Sequence, residues 1–179
     1  MSVQLFREKL THGGARPNQF RVILPEPTAT SPFLCDAASL PGQTVDVLPV
    51  FYRGREVKLP GERRFDNWIV SVINDENFAI HRFLSAWMER INNKETNSGD
   101  VNSKGYTLPL IVQQLSRRNN GEAEGSATGI LRHYKFNNAW PTNIQPIQLN
   151  FSDNNNVSRF QVEFAYDYFD EIQDNIASD

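Results

Sequence analysis

Residues that hold metals or build covalent cross-links are scarce in this chain. Among its 179 residues there is one cysteine, Cys35, which excludes an intramolecular disulfide and a cysteine-based zinc site. The three histidines lie in separate stretches, and none has a second ligand at the usual spacing. No apolar run approaches the roughly 18 residues that would span a membrane. The N-terminus is too polar for a secretory signal, so we expect a protein of a reducing aqueous compartment with no cofactor, no metal and no membrane-spanning segment.

Excess positive charge and catalytic motifs are also missing. The chain has 18 basic and 21 acidic residues, a net charge of −3, whereas a dedicated nucleic-acid binder usually carries a basic excess. It contains neither a nucleophile elbow of the Gly-x-Ser-x-Gly type nor a phosphate-binding loop. Cys35 ends an apolar run, which favours a buried, inert thiol. Glu163 and Asp167 would lie about 13 Å apart on a strand, too far for a glycosidase pair. We therefore predict no enzyme.

The residues that are abundant indicate short strands and turns. Phenylalanine occurs 12 times, and glycine and proline 10 times each. Alternating apolar residues predict strands near 20–24, 68–73, 108–116, 130–136 and 160–168, with a further alternation at 147–151 and a turn at 140–143. An apolar stripe predicts one helix over 80–91, capped by Asn74 or Asp75, and the three tryptophans are expected in the core. The predicted fold is mainly β, with two packed antiparallel sheets, as a sandwich or barrel, and one flanking helix. We expect a single domain over 1–170 and an acidic tail over 171–179.

Two surfaces of this predicted fold suit contacts with partners. A hairpin at about 45–60 carries prolines and charges that fit poorly inside a sheet, so we expect it to protrude. Five basic residues mark it and its C-terminal flank, with Glu56 and Glu62 interleaved: Arg53, Arg55, Lys58, Arg63 and Arg64. Contact with a partner protein, plain solvation and nucleic-acid binding all remain open for it. The strand at 160–168 has no proline, lysine or bulge, which favours pairing between copies.

Five segments in the same order resemble the tail tube proteins of contractile-tailed bacteriophages. They are Ala15–Val22, Cys35–Pro41, Glu62–Glu76, Trp140–Ile144 and Phe160–Tyr168. The likeness covers about residues 15–170, and the loop at 117–129 and the tail beyond 170 have no match in it. The chain also resembles the tube proteins of type VI secretion machines and of extracellular injection systems, and this resemblance implies a common fold.

This resemblance implies a structural subunit of hexameric rings, stacked into a tube that conducts DNA during ejection. The implied partners are further copies of the chain, the tail sheath protein, a baseplate or tube initiator, a tail terminator, and the tape measure protein and double-stranded DNA in the lumen. The implied location is the virion tail, assembled in the host cytoplasm. Lumen-lining candidates are Gln161, Glu163 and Asp167. Ring-stacking or subunit-interface candidates are Phe51, Tyr52, Arg53, Arg55, Lys58, Arg63 and Arg64.

Three alternatives stay open from the sequence. The first is a tube initiator or baseplate tube protein, which shares the fold but occurs in one or two rings. The second is the tube of a non-phage contractile injection system. The third belongs to a different class, a small β-sandwich that binds a ligand or acts as an enzyme.

Overall fold

The computed structural model describes residues 14–25, 31–99, 103–116, 129–152, 154 and 156–172, together with residues 3, 4 and 8. Within these ranges the strands are β1 (Phe20–Ile23), β2 (Cys35–Ala38), β3 (Thr44–Tyr52), β4 (Arg55–Arg64), β5 (Trp68–Ile73), β6 (Leu108–Leu115), β7 (Ile130–Ile144), β8 (Arg159–Ala165) and β9 (Tyr168–Ile172). The helices are α1 (Ser31–Leu34), α2 (Ala79–Ile91) and α3 (Ser103–Tyr106). The predicted mainly-β fold with one substantial helix is confirmed.

The long strand β7 belongs to two antiparallel sheets. Its residues 140–144 pair with β8, which pairs with β5, which pairs with β2; we call this four-stranded layer sheet I. Its residues 130–139 pair with β6 and β9, and β1 lies beyond β6; we call this layer sheet II. A strand of 15 residues is long enough to serve both layers, so β7 links them covalently.

The core lies between the two sheets and under α2. Trp68 of sheet I stacks on Phe136 of sheet II, with ring centroids 4.4 Å apart. Trp87 of α2 contacts Phe164 of β8 at 6.2 Å between centroids. The alternation along β5 and β8 places every second side chain in this core: Trp68, Val70, Val72, Phe160, Val162 and Phe164. No other strand or helix of the described residues packs on the opposite face of sheet I, which carries Ile69, Ser71, Gln161 and Glu163.

The helix begins where the chain leaves β5. The prediction that Asn74 or Asp75 occupies the cap is wrong, because Phe78 is the N-cap residue and its side chain makes no capping hydrogen bond. The carboxylate of Asp75 lies three residues earlier and still accepts a hydrogen bond from the Ala79 backbone N–H at 2.9 Å. Phe78, just before the helix, adopts a left-handed backbone with φ of 52°. Asn74 has a different role, because its amide donates to the Ser158 hydroxyl at 3.0 Å and so fastens β5 to the start of β8.

Three boundary predictions near the end of the chain are wrong. Residues 140–143 form part of β7 and not a turn, because proline is tolerated in a strand where that strand is a sheet edge. The alternation at 147–151 forms no strand; those residues lie in the connection between β7 and β8. Glu171 and Ile172, assigned to the tail, complete β9, where a side-chain ion pair joins Glu171 to Arg132.

The last strand also differs from its prediction in two ways. It breaks after Ala165, because the Asp167 N–H turns to the Asn137 carbonyl at 3.2 Å and the chain continues as β9 in sheet II. Its first part, β8, is not an edge, since β5 and β7 flank it on both sides. Within the described part of the chain, the outermost strands of sheet I are β2 and residues 140–144 of β7. Among the described residues, none of the helices combines the length and apolar character needed to span a bilayer.

Candidate assembly surfaces

The hairpin of β3 and β4, which we call the arm, stands apart from the two sheets. Among the residues that the structure describes, its strands pair only with each other, and every residue in them except Asp46 is exposed. Arg53 and Gly54 form the two-residue turn, with φ of 47° and 79°. Two successive left-handed residues are the geometry that tight hairpins favour, and glycine accepts it without strain. The expected protruding hairpin is therefore longer than predicted, at Thr44–Arg64.

Cross-strand register gives the arm one distinctly apolar face. Leu48 lies opposite Leu59, and Val50 lies opposite Val57. Since side chains alternate across a strand, these four point to the same side of the arm. The opposite side is mixed, with Phe51 facing Glu56. Each of the apolar four remains between two fifths and three fifths exposed, so the pairs do not cover one another.

The seven ring-stacking candidates from the sequence all lie on the arm. The Arg53 guanidinium lies 5.4 Å from the centre of the Tyr52 ring, and Arg64 pairs with Asp46 at 2.7 Å. The apolar face is not among the features predicted from the sequence, although the alternation of apolar residues on both sides of the Arg53–Gly54 turn indicates it. The structure thus gives the arm an apolar surface with basic residues near its tip.

Aromatic contacts and a hydrogen bond attach the base of the arm to the two sheets, which together with α2 we call the body. After β4, the Phe65 ring contacts Tyr166 at 6.0 Å and Phe169 at 5.4 Å between centroids. Before β3, the Ser39 carbonyl accepts the indole N–H of Trp68 at 2.7 Å. Burial, and then the carboxylate of Asp66, raise the pKa of the Tyr166 phenol above its ordinary value. The base of the arm is therefore fixed while its length projects from the body.

The uncovered face of sheet I is polar and close to neutral. Gln161 and Glu163 of β8 lie on it, opposite Ser71 and Ile69 of β5. The Glu163 carboxylate accepts a hydrogen bond from the Asn67 amide at 2.8 Å. Two more charged residues adjoin this face, Arg159 and Asp36, and they pair with each other at 2.9 Å. The carboxylates of Glu163 and Asp36 and the guanidinium of Arg159 together give this face one net negative charge.

Asp167 does not share a strand with the other two lumen candidates. It lies in the turn between β8 and β9, where its carboxylate accepts a hydrogen bond from the Asn138 amide at 2.7 Å. Asn138 itself has a left-handed backbone with φ of 54°. The structure therefore brings Gln161 and Glu163 together on the face of sheet I and places Asp167 at the end of that sheet from which the arm leaves.

Both edges of sheet I are available for further pairing. β2 pairs only with β5, and residues 140–144 of β7 pair only with β8 within the described chain. Pro141 lies in the second edge, which is where a sheet tolerates a residue without a backbone N–H. An open sheet with two free edges is a template for pairing with another chain.

The chemistry of a metal or nucleophile site is absent from the described residues. They contain no group of three histidine, cysteine, aspartate or glutamate side chains close enough to hold an ion. His81 packs edge-on against Phe78 and Phe160. Cys35 is half-buried in β2 against the core, opposite Val72.

Comparison with known proteins decides the family. The family model described as "Phage tail tube protein" matches residues 15–171. This chain belongs to the phage tail tube protein family. The tail tube protein gp19 of Enterobacteria phage T4 is 29% identical over 156 residues, covering 87% of this chain and 91% of that one. The protein is accordingly a structural subunit of a tail tube, a component of the virion tail.

Solved structures share the fold at low sequence identity. The anti-feeding prophage cap, described as a tube terminating cap, superposes with a TM-score of 0.60 at 18% identity, covering 89% of this chain and 91% of that one. A sheath–tube complex of the PVC extracellular contractile injection system gives 0.57 at 13% identity, covering 96% and 98%. The tube-like fold predicted from the sequence is confirmed.

Proposed function

We propose that six copies of this tail tube protein close a ring through sheet I and that such rings stack through the arm into a DNA-conducting tube. The observation that carries the proposal is sheet I itself, which has two free edges and one uncovered polar face. Ring closure would pair β2 of one subunit with residues 140–144 of β7 in the next. No edge would then remain to drive disordered aggregation.

The dimensions of such a ring suit a DNA channel. Sheet I has four strands, so six subunits contribute twenty-four to one closed barrel. At a strand spacing of about 4.8 Å and a tilt of about 40°, the backbone circle is about 48 Å across. Inward side chains reduce the bore to about 35–40 Å, which is wide enough for duplex DNA.

The small negative charge of the uncovered face favours movement of DNA through the channel over tight binding of DNA to its wall. A basic lumen would hold DNA through counterion release, whereas a polar face with a small negative excess gives no such trap. In this proposal Gln161 and Glu163 line the channel, and Asp167 lies at its rim on the arm side. The Asp36–Arg159 pair also faces the bore, where internal pairing keeps the guanidinium from acting as a phosphate site.

In a stacked tube, each subunit would also contact the adjacent ring and other proteins of the tail. The arm would reach a subunit of the adjacent ring, with its apolar face and its basic tip both engaged. The sheath would surround the tube, a baseplate or initiator would start it, a terminator would end it, and the tape measure protein and double-stranded DNA would occupy the lumen. The likeness to chains from a sheath–tube complex and from a tube terminating cap supports these surroundings.

Negative-stain electron microscopy of the purified protein at rising concentration tests this proposal. We expect six-fold rings and hollow tubes from the wild type. Arg53→Glu combined with Arg55→Glu should block stacking while the free subunit keeps its fold, because both residues are exposed. A wild type that stays monomeric at every concentration would count against the ring, and normal tubes from the charge-reversed variant would count against the arm.

A further inference from the structure

The arm and the β7–β8 connection lie at opposite ends of sheet I. The arm leaves sheet I after Ala38 and returns at Trp68. Trp68 is opposite Phe164, so the arm emerges at the end where β8 finishes. The connection over 145–158 leaves β7 at Ile144 and enters β8 at Arg159, which is opposite Ile73. We call this second end of the body the loop end.

The loop end presents apolar side chains that the subunit itself does not cover. Leu149 is 89% exposed, Phe151 is fully exposed and Val157 is more than half exposed. The connection that carries them is nevertheless held at both ends. The Gln145 N–H donates to the Gln161 carbonyl at 2.8 Å, and the Asn74 N–H donates to the Ser158 carbonyl at 2.9 Å. Exposed apolar groups clustered on a tethered segment mark an interaction site.

The charges of the two ends are complementary. The arm carries five basic side chains and three acidic ones, an excess of two positive charges: Arg53, Arg55, Lys58, Arg63 and Arg64 against Asp46, Glu56 and Glu62. At the loop end, the carboxylates of Asp75 and Glu76 follow the end of β5 and bring two negative charges. Asp36 and Arg159 lie nearby but neutralise each other as an ion pair. An arm arriving there meets both apolar and oppositely charged surface.

We propose that the loop end is the receiving site for the arm of a second copy of this chain, which lies in the adjacent ring. Leu149, Phe151 and Val157 cover the apolar arm face of Leu48, Val50, Val57 and Leu59. This inference rests on the proposed function and adds the surface that accepts the arm. The arm, with β3 and β4 of about 30 Å at the usual strand rise, is long enough to lie along a neighbouring body.

The arm and the loop end are different surfaces at opposite ends of the subunit, so the contact between rings is head-to-tail. Such a contact leaves one free arm and one free loop end at every stage of growth, so stacking is open-ended. A two-fold contact of arm with arm would instead stop at a pair of rings and leave both loop ends bare. The arrangement therefore also accounts for a tube of many rings built from a single kind of subunit.

Mixing two stacking-defective variants tests the pairing of these surfaces. Leu149→Ser with Phe151→Ser removes the receiving groups, and Val50→Ser with Val57→Ser removes the arm's apolar face. We expect each variant alone to give single rings. Mixed, they should give double rings, since the intact arm of the first fits the intact loop end of the second. Tyr168→Ser, an exposed aromatic on β9, serves as the matched control and should form tubes like the wild type.

Sedimentation velocity and electron microscopy measure whether each variant, and their mixture, forms single rings, double rings or tubes. Tubes of ordinary length from the loop-end variant, or only single rings in the mixture, would overturn this inference while leaving the ring proposal intact. A wild type that forms neither rings nor tubes would overturn both proposals.

Covalent trapping supplies a second measurement. In a Cys35→Ala background, Val50→Cys with Phe151→Cys should give a ladder of cross-linked chains when tubes are treated with a short bis-maleimide, because Val50 lies on the apolar face of the arm. Each subunit then links to the ring above and to the ring below. Val50→Cys paired with Tyr168→Cys is the control and should give no ladder. A dimer band alone, seen with Val50→Cys as the only cysteine, would indicate an arm-to-arm contact and overturn the head-to-tail assignment.

Discussion

Trp68 is the residue on which the two sheets depend most directly. It is buried, stacks on Phe136 and donates its indole N–H to the Ser39 carbonyl at the root of the arm. Trp68→Ala should lower the free energy of unfolding by about 3–5 kcal/mol, because the cavity lies where the layers meet. Urea denaturation of the free subunit measures this. Phe151→Ala is the matched control: it removes an exposed ring and should change stability by less than about 0.5 kcal/mol.

Tyr166 gives the protein a dependence on alkaline pH. Burial and the Asp66 carboxylate raise its pKa, so the folded state keeps the phenolic proton at pH values where the unfolded chain has lost it. The free energy of unfolding should therefore fall as pH rises above about 10. Tyr166→Phe keeps the ring contacts with Phe65 and Phe136 and should show a shallower fall. Thermal melts of both proteins across this range measure the difference, and parallel curves would contradict the prediction.

At the scale of elements, the sequence pattern predicts those strands and helices that bury one side against the core. The alternation of β5 and the stripe of α2 are visible in the sequence because each buries one side against the core. The break after Ala165 is invisible there, since a long-range hydrogen bond to Asn137 decides it. The role of residues 140–144 as an edge depends on β6 ending its pairing at Ala139. The charged tip of the arm was recognisable, whereas its apolar face needed the cross-strand register.

The arm should be the least protected element of the free subunit. A two-stranded hairpin without a packed face is marginally stable in water, and β3 and β4 have no third strand. Hydrogen–deuterium exchange should show fast exchange over 44–64 in the free protein and strong protection in assembled tubes. Peptides from β5 and β8 are the internal control, because both strands are paired on two sides in either state. Equal protection of the arm before and after assembly would show that it contacts nothing in the tube.

At the scale of the whole molecule, each face of sheet I has a separate task. The buried face carries the large apolar residues that hold the body together, and the uncovered face carries the polar Ser71, Gln161 and Glu163 beside the half-exposed Ile69. The helix α2 packs on the buried face, where Trp87 contacts Phe164 and His81 contacts Phe160. This separation allows the channel charge to be changed without disturbing the core.

Glu163→Lys tests whether the uncovered face lines the channel. The substitution changes the charge by two units in every subunit and should convert a weakly repelling bore into one that retains duplex DNA. Tubes assembled with linear duplex DNA should keep it at low salt and release it as salt rises, because binding now depends on counterion release. Glu95→Lys, an exposed site just beyond α2 and outside sheet I, makes the same charge change and should retain no more DNA than the wild type. Equal retention by both variants would indicate nonspecific outer binding, and no retention by Glu163→Lys would remove Glu163 from the channel wall.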